Sequence, residues 1–270
     1  MADLSNVIEL ATATHSGMVR SHNEDSIAAD AAVGLAVLAD GMGGYNAGEV
    51  ASGIAVAMIS AEIKKNLAAI TGELDVATAE KLVGEHAVRA NNAIFQASQS
   101  QPQYAGMGTT LVVALWHDDH MIVGHIGDSR LYRMRGSKLE QVTRDHSLLQ
   151  EQIDSGLITK EQARHSQNKN LVTRAVGIDP EVDAEVHSYP VQAGDIYLLC
   201  SDGLNDMVTD EDMELTLSSL QANLPLAAEQ LVQQANDNGG RDNVSVILVR
   251  VLKSFPARSG LVDRLKSWFR

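Results

Sequence analysis

TTLVVALWHDDHMIVGHIGDSRLYRMR, residues 109–135, decides the fold class. Its apolar, β-branched runs at 109–116, 121–126 and 131–135 read as strands. The connections between them are short and polar, as in His117-Asp118-Asp119-His120, and leave no room for a crossover helix. Strands joined this way run antiparallel, so the chain is α+β rather than doubly wound. Working outward, further strands are expected at 7–14, 34–39, 196–200 and 244–252, and helices at about 47–69, 75–99, 145–155 and 226–236. Two long helices between two groups of strands fit stacked antiparallel sheets covered by helices. No repeat or low-complexity linker precedes about Leu252, which predicts one domain over 1–252 and a short tail over 253–270.

The 270 residues are 44% hydrophobic and 21% charged, an ordinary globular composition that sets aside disordered and fibrous classes. A net charge of −14 works against attraction to nucleic-acid backbones, so no nucleic-acid partner is expected. Cys200 is the only cysteine, which removes disulfides and cysteine-based zinc sites and points to a reducing, cytoplasmic compartment. No apolar stretch approaches the roughly 20 residues of a membrane span, and MADLSNVIEL lacks the build of a signal peptide.

Carboxylates recur where apolar strands begin or end. LAVLA runs into Asp40-Gly41, IVGHI into Gly127-Asp128, YLLC into Ser201-Asp202-Gly203, and Arg241-Asp242-Asn243 opens the last strand. One such Asp-Gly is a turn. Four in the same strand context could share a sheet edge, where their repulsion has to be offset by cations. Oxygen-only ligands select hard ions, so Mg2+ or Mn2+ is expected rather than zinc. Near the start, Arg20 precedes Glu24 and Asp25 closely, and a planar five-donor fork beside such a cluster suits bidentate phosphate recognition.

In order along the chain stand Arg20…Asn23-Glu24-Asp25-Ser26, Ala39-Asp40-Gly41-Met42-Gly43-Gly44, Gly106-Met107-Gly108-Thr109-Thr110 and Gly127-Asp128-Ser129-Arg130. Asp145-His146-Ser147, Leu171–Gly177, Ser201-Asp202-Gly203 and Arg241-Asp242-Asn243 follow. Together these motifs resemble the metal-dependent protein phosphatases, the protein phosphatase 2C (PPM) family, in its compact bacterial serine/threonine branch, over about residues 7–251. The resemblance implies a four-layer αββα sandwich with metals in a cleft at one end. By motif position, Asp40 would bridge two metal ions, the Gly41 carbonyl would bind the first, and Asp202 and Asp242 the second. Asp128, with Asp202, matches the place of a third ion in bacterial members. Glu24 and Asp25 match groups that orient metal-bound water, Arg20 matches the phosphate-binding arginine, and Asn243 reads as local support. The implied activity is hydrolysis of phosphoserine and phosphothreonine by a metal-activated bridging water, opposing a cognate serine/threonine kinase, by a monomer. Cys200 sits in an apolar run and is no nucleophile.

Some family members carry a histidine where this chain has Met42 or Tyr45, to protonate the leaving alkoxide. A metal-bound water, His22 and Tyr45 remain as proton donors, and Met42 reads as packing. Asn46 to Glu49 fits a capping box before the first long helix. His117, His120 and His125 resemble a zinc triplet only in print and are expected to be solvated or core residues. The segment 145–170 matches the family's variable flap, equally readable as a surface helical hairpin. A phosphopeptide-binding pseudophosphatase would need fewer metal ligands than this chain keeps, whereas a phosphatase of small esters is separable only by comparing substrates. The tail carries Lys253, Arg258, Arg264, Lys266 and Arg270 against Asp263. As a helix from about Ser259 it would align Leu261, Val262, Leu265, Trp268 and Phe269, a face for weak, salt-sensitive contact with an anionic membrane or acidic partner.

Overall fold

The computed structural model describes residues 3–44, 47–70, 74–159, 162–163 and 171–256. Its strands are β1 (Ile8–His15), β2 (Asp25–Asp30), β3 (Leu35–Met42), β4 (Gly108–Thr109), β5 (Leu111–His117) and β6 (His120–Ile126). Then come β7 (Arg130–Arg135), β8 (Lys138–Gln141), β9 (Glu185–Pro190), β10 (Ile196–Cys200) and β11 (Val244–Val251). The helices are α1 (Ala47–Ala69), α2 (Val76–Ser100), α3 (Leu148–Asp154), α4 (Asp202–Asn205), α5 (Asp210–Leu220) and α6 (Leu224–Asp237). One sheet has the order β1-β11-β10-β7-β8; the other runs β2-β3-β5-β6-β9, with β4 also paired to β3. These pairings are antiparallel. The β5–β6 hairpin closes through Asp118 and Asp119, both at positive φ (50° and 54°), as a two-residue turn matched to strand twist requires.

Strand parity builds the layers. Successive side chains point to opposite faces, so Leu35, Val37 and Ala39 of β3 pack under α1 and α2 with Ala51, Ile59, Val83 and Ile94. Ala36 and Leu38 point the other way, into a core between the sheets shared with Tyr197, Leu199, Ile247 and Val249. Leu198 and Cys200 of β10 turn outward beneath α5 and α6, against Met213, Leu217 and Leu231. The result is the expected αββα stack, its middle layer pinned by the edge-to-face pair Trp116–Tyr197 at 5.5 Å.

α1 lies unusually close to β3 because glycines meet there. A Cβ on Gly41 would fall 2.1 Å from the Gly48 carbonyl oxygen, so neither residue can be larger without parting the two elements. β3 also runs on to Met42, three residues past the expected end, so Asp40 and Gly41 are strand residues rather than loop residues. The third helix starts at Leu148, not at 145, because Ser147 is its cap: its hydroxyl accepts the Gln150 N–H at 3.2 Å. Leu252 donates to the Val7 carbonyl at 2.7 Å, and Phe255 is buried in the inter-sheet core. The tail helix from Ser259, and Asn46 of the capping box, lie outside the described residues.

Candidate metal centre

Asp40 stands near the end of β3, where its backbone is bonded on both sides. Its N–H donates to Thr110 Oγ1 at 3.0 Å, and its carbonyl accepts from the Thr110 N–H and the Thr109 hydroxyl, both at 2.8 Å. Register sets Asp25 of β2 directly beside Asp40 of β3. β10 delivers Ser201 and Asp202 at the start of α4, and the approach to β11 delivers Asp242. Gly127, at φ 103°, turns the chain between β6 and β7 and carries Asp128 inward.

The electrostatics are one-sided. Burial first, then the negative charges of Asp25, Asp202, Asp128 and Asp242, push the Asp40 carboxyl well above the ordinary carboxylate range. Asp202 is pushed up in the same way, by burial and then by Asp128, Asp206, Asp242 and Asp25. Burial raises Asp25 to about 6 against the opposing hydrogen bonds of Ser245 and Ser201, and it raises Asp128 to about 6, helped by Asp145. Asp202 Oδ1 is buried without a hydrogen-bond partner. Arg130 lies near Asp128 but is committed to Asp145 through a double hydrogen bond at 2.9 and 2.7 Å. A carboxylate cluster so short of protein cations, with an orphaned buried oxygen, fits hard divalent ions.

Arg20 lies on the β1–β2 loop and donates to Asp242 Oδ2 at 2.7 Å, on the solvent side of the cluster. One residue organises this loop. Asn243 accepts the Glu24 N–H at 2.8 Å and donates to the carbonyls of Ser16 and His22 at 3.0 and 2.8 Å. Glu24 faces the cluster half-buried, its carboxyl raised chiefly by burial and held back by Arg20. Its carbonyl accepts from Gly41 N–H at 3.1 Å and from the Ser52 hydroxyl at 2.6 Å, tying loop, β3 and α1 together. His22 is exposed, Met42 is partly buried at the strand end, and Tyr45 lies outside the described residues.

The sequence set Ser201 in a motif but gave it no role; its hydroxyl donates to Asp25 Oδ2 at 2.8 Å while accepting the Ser245 N–H at 2.9 Å. Nor did the sequence point to Asp206, which lines a cleft of about 360 Å³ beside Asp128 and Asp202. Its only signal was the i, i+4 spacing from Asp202 on α4.

His117, His120 and His125 each face a different backbone carbonyl, of Leu74, Asp118 and Arg144. His125, His146 and Glu185 do approach one another within 4.8 Å. The two imidazoles stack 4.7 Å apart at 14°, and His125 Nδ1 is buried without a hydrogen-bond partner. His146 Nδ1 accepts the Gly127 N–H at 3.1 Å, which leaves its Nε2 proton for Glu185. The trio braces the turn that carries Asp128.

An αββα sandwich with five aspartates drawn to one end is the build of a hydrolase that works through divalent metals. The model for the family described as protein phosphatase 2C matches residues 15–240. The serine/threonine phosphatase stp of Listeria monocytogenes serotype 4b is 38% identical over 239 residues, 87% of this chain and 93% of that one. The solved serine/threonine phosphatase PstP/Ppp of Mycobacterium tuberculosis superposes with a TM-score of 0.81 at 37% identity, over 91% of this chain and 99% of that one. The PstP catalytic domain in complex with two manganese ions gives 0.78 at 36% identity, over 92% and 99%. The chain belongs to the protein phosphatase 2C (PPM) family, the metal-dependent protein phosphatases.

Proposed function

We propose that this chain hydrolyses phosphoserine and phosphothreonine monoesters of proteins, with Asp40, Gly41, Asp202 and Asp242 holding two Mn2+ or Mg2+ ions and Asp128, with Asp202, a third. The observation that carries the reading is the Asp40 carboxyl, partly exposed at the end of β3 and pushed up by desolvation and by the charges of four other aspartates. Such ions supply Lewis acidity when bound: they lower the pKa of a coordinated water and offset charge on phosphoryl oxygens. The chain's own groups do the rest. Arg20, exposed at the rim, presents its fork to a phosphate. Glu24 and Asp25 face the cluster as hydrogen-bond acceptors that orient water, and Ser201 fixes the Asp25 rotamer. Asp40 is kept in place through its backbone by Thr109 and Thr110.

The substrates are phosphorylated proteins, with a serine/threonine kinase as the opposing activity. No helix among the described residues is long and apolar enough to cross a membrane. Cytoplasmic action as a monomer, a division into a catalytic domain over 1–252 and a tail over 253–270, and a weak tail contact with an anionic surface belong to the same proposal. The test is turnover of a phosphoprotein and of p-nitrophenyl phosphate after chelation and after adding back Mn2+, Mg2+ or Ca2+. Activity returns with the first two and not with Ca2+, whose larger, looser shell suits in-line positioning poorly. Robust activity in metal-free protein overturns the assignment.

A further inference from the structure

Met18 and Val19 directly precede Arg20, and both are thrown into solvent, 67% and 70% exposed. Among the described residues no other two exposed large apolar side chains are neighbours in sequence. They are held out by a rigid backbone. The Met18 N–H donates to the Gly240 carbonyl at 2.7 Å, and the Gly17 N–H to His15 Nδ1 at 3.0 Å. Gly17 sits at φ 78°, so close to the loop before β11 that a Cβ there would fall 2.2 Å from the Asp242 carbonyl oxygen. Asn243 clamps the loop on both sides of the pair, at Ser16 and at His22. Two apolar side chains are thus held at fixed places on the surface, next to the arginine proposed above to bind phosphate.

We infer that Met18 and Val19 form an apolar ledge that selects substrates by a hydrophobic residue flanking the phosphoserine or phosphothreonine; this rests on the phosphatase reading above. Arg20 holds the phosphate end of the substrate residue, and Val19 and Met18 follow at about 3.8 Å per Cα step. An extended substrate advances about 3.3 Å per residue, so side chains one to three positions from the phosphorylated one pass over the ledge. Burying an aliphatic side chain there removes two exposed apolar groups from water at once.

The test uses phosphopeptides identical except that Leu or Asn occupies one position between three before and three after the phosphothreonine. Wild-type protein should favour Leu over Asn by about tenfold in kcat/KM at one position or two adjacent ones. The Met18→Ser/Val19→Thr double variant should lose that preference while hydrolysing the Asn peptides and p-nitrophenyl phosphate as wild type does. If the double variant loses all turnover, the single variants Val19→Thr and Met18→Gln are read by the same criterion. No Leu preference in wild type, or a preference that survives in the variants, overturns the ledge. Wild-type protein inert toward every ester, peptide or not, would instead refute the phosphatase reading.

Discussion

Asp40 is a residue the fold holds at a cost. Its carboxyl lies among the charges of four other acids, and the hydrogen bonds that fix its backbone do not depend on its own charge. Asp40→Asn should therefore abolish turnover, by at least about 100-fold, and yet raise the stability of the metal-free protein by on the order of 1 kcal/mol. Thermal melts in chelator beside turnover assays check both halves, and a destabilised variant would mean that the side chain packs rather than holds charge. Arg20 makes the opposite case. It is exposed and pairs with the rim carboxylate Asp242, so a phosphate contact through it is expected in ground and transition states alike. Arg20→Ala should raise KM for phosphopeptides about tenfold with little change in kcat, and Mn2+ affinity by calorimetry should hold or tighten because Asp242 loses its competing partner. A large fall in kcat at constant KM would place the guanidinium on the transition state instead.

Between elements, the loop before β11 does what neither strand nor helix can: it fastens the Arg20 loop to the metal-facing edge. Asn243→Ala removes three hydrogen bonds and leaves a part-buried N–H and two carbonyls without this partner. The variant should lose about 2–4 kcal/mol by denaturant unfolding and raise KM as Arg20 drifts. Unchanged stability would make the loop self-supporting. The elements legible in the sequence were those with strong burial signals. Central strands such as β5 and β10 are nearly continuous apolar runs, and α1 was legible to the residue. β2, β8 and β9 were not, and each is the edge of its sheet, with burial on one side only and a mixed composition: DSIAAD, KLEQ and EVHSYP. α5 escaped although its cap was in plain view, with Thr209 accepting the Asp212 N–H at 3.1 Å. The aspartates at strand ends were legible because a fixed motif, acid beside glycine after an apolar run, repeats. Ser201 and Asp206 were not, because their roles come from a hydrogen bond to Asp25, distant in sequence, and from the cleft between α3 and α4, which a linear pattern does not encode.

The whole molecule carries a net charge of −14, and five of its aspartates converge on one end of the fold. That placement couples stability, pH and metal with a definite sign. Asp25 and Asp128 are raised from 3.8 to about 6 in the folded protein, chiefly by burial. Between those values the folded chain binds more protons than the unfolded one, so these carboxylates take stability away as pH rises through the window, and above about 6 the loss is complete. Burial lowers His125 and His146, which works the other way: the unfolded chain binds more protons below about 6.5, and stability from these two recovers as pH rises toward that value. The metal-free curve mixes the two trends, but the stabilisation added by Mn2+ isolates the carboxylates, since the histidine brace stands outside the cluster. Ions compete with protons for the aspartates, so the gain in melting temperature from saturating Mn2+ should be small near pH ~5 and full near pH ~7.5. At a hundredfold excess over the dissociation constant it amounts to about 2.7 kcal/mol for one site, or about 5–10 °C for a chain of this size. Asp40→Asn should lose most of the gain at the higher pH. Equal gains at both pH values, or a gain untouched by that substitution, would put the stabilising ions on the acidic exterior and not among the aspartates.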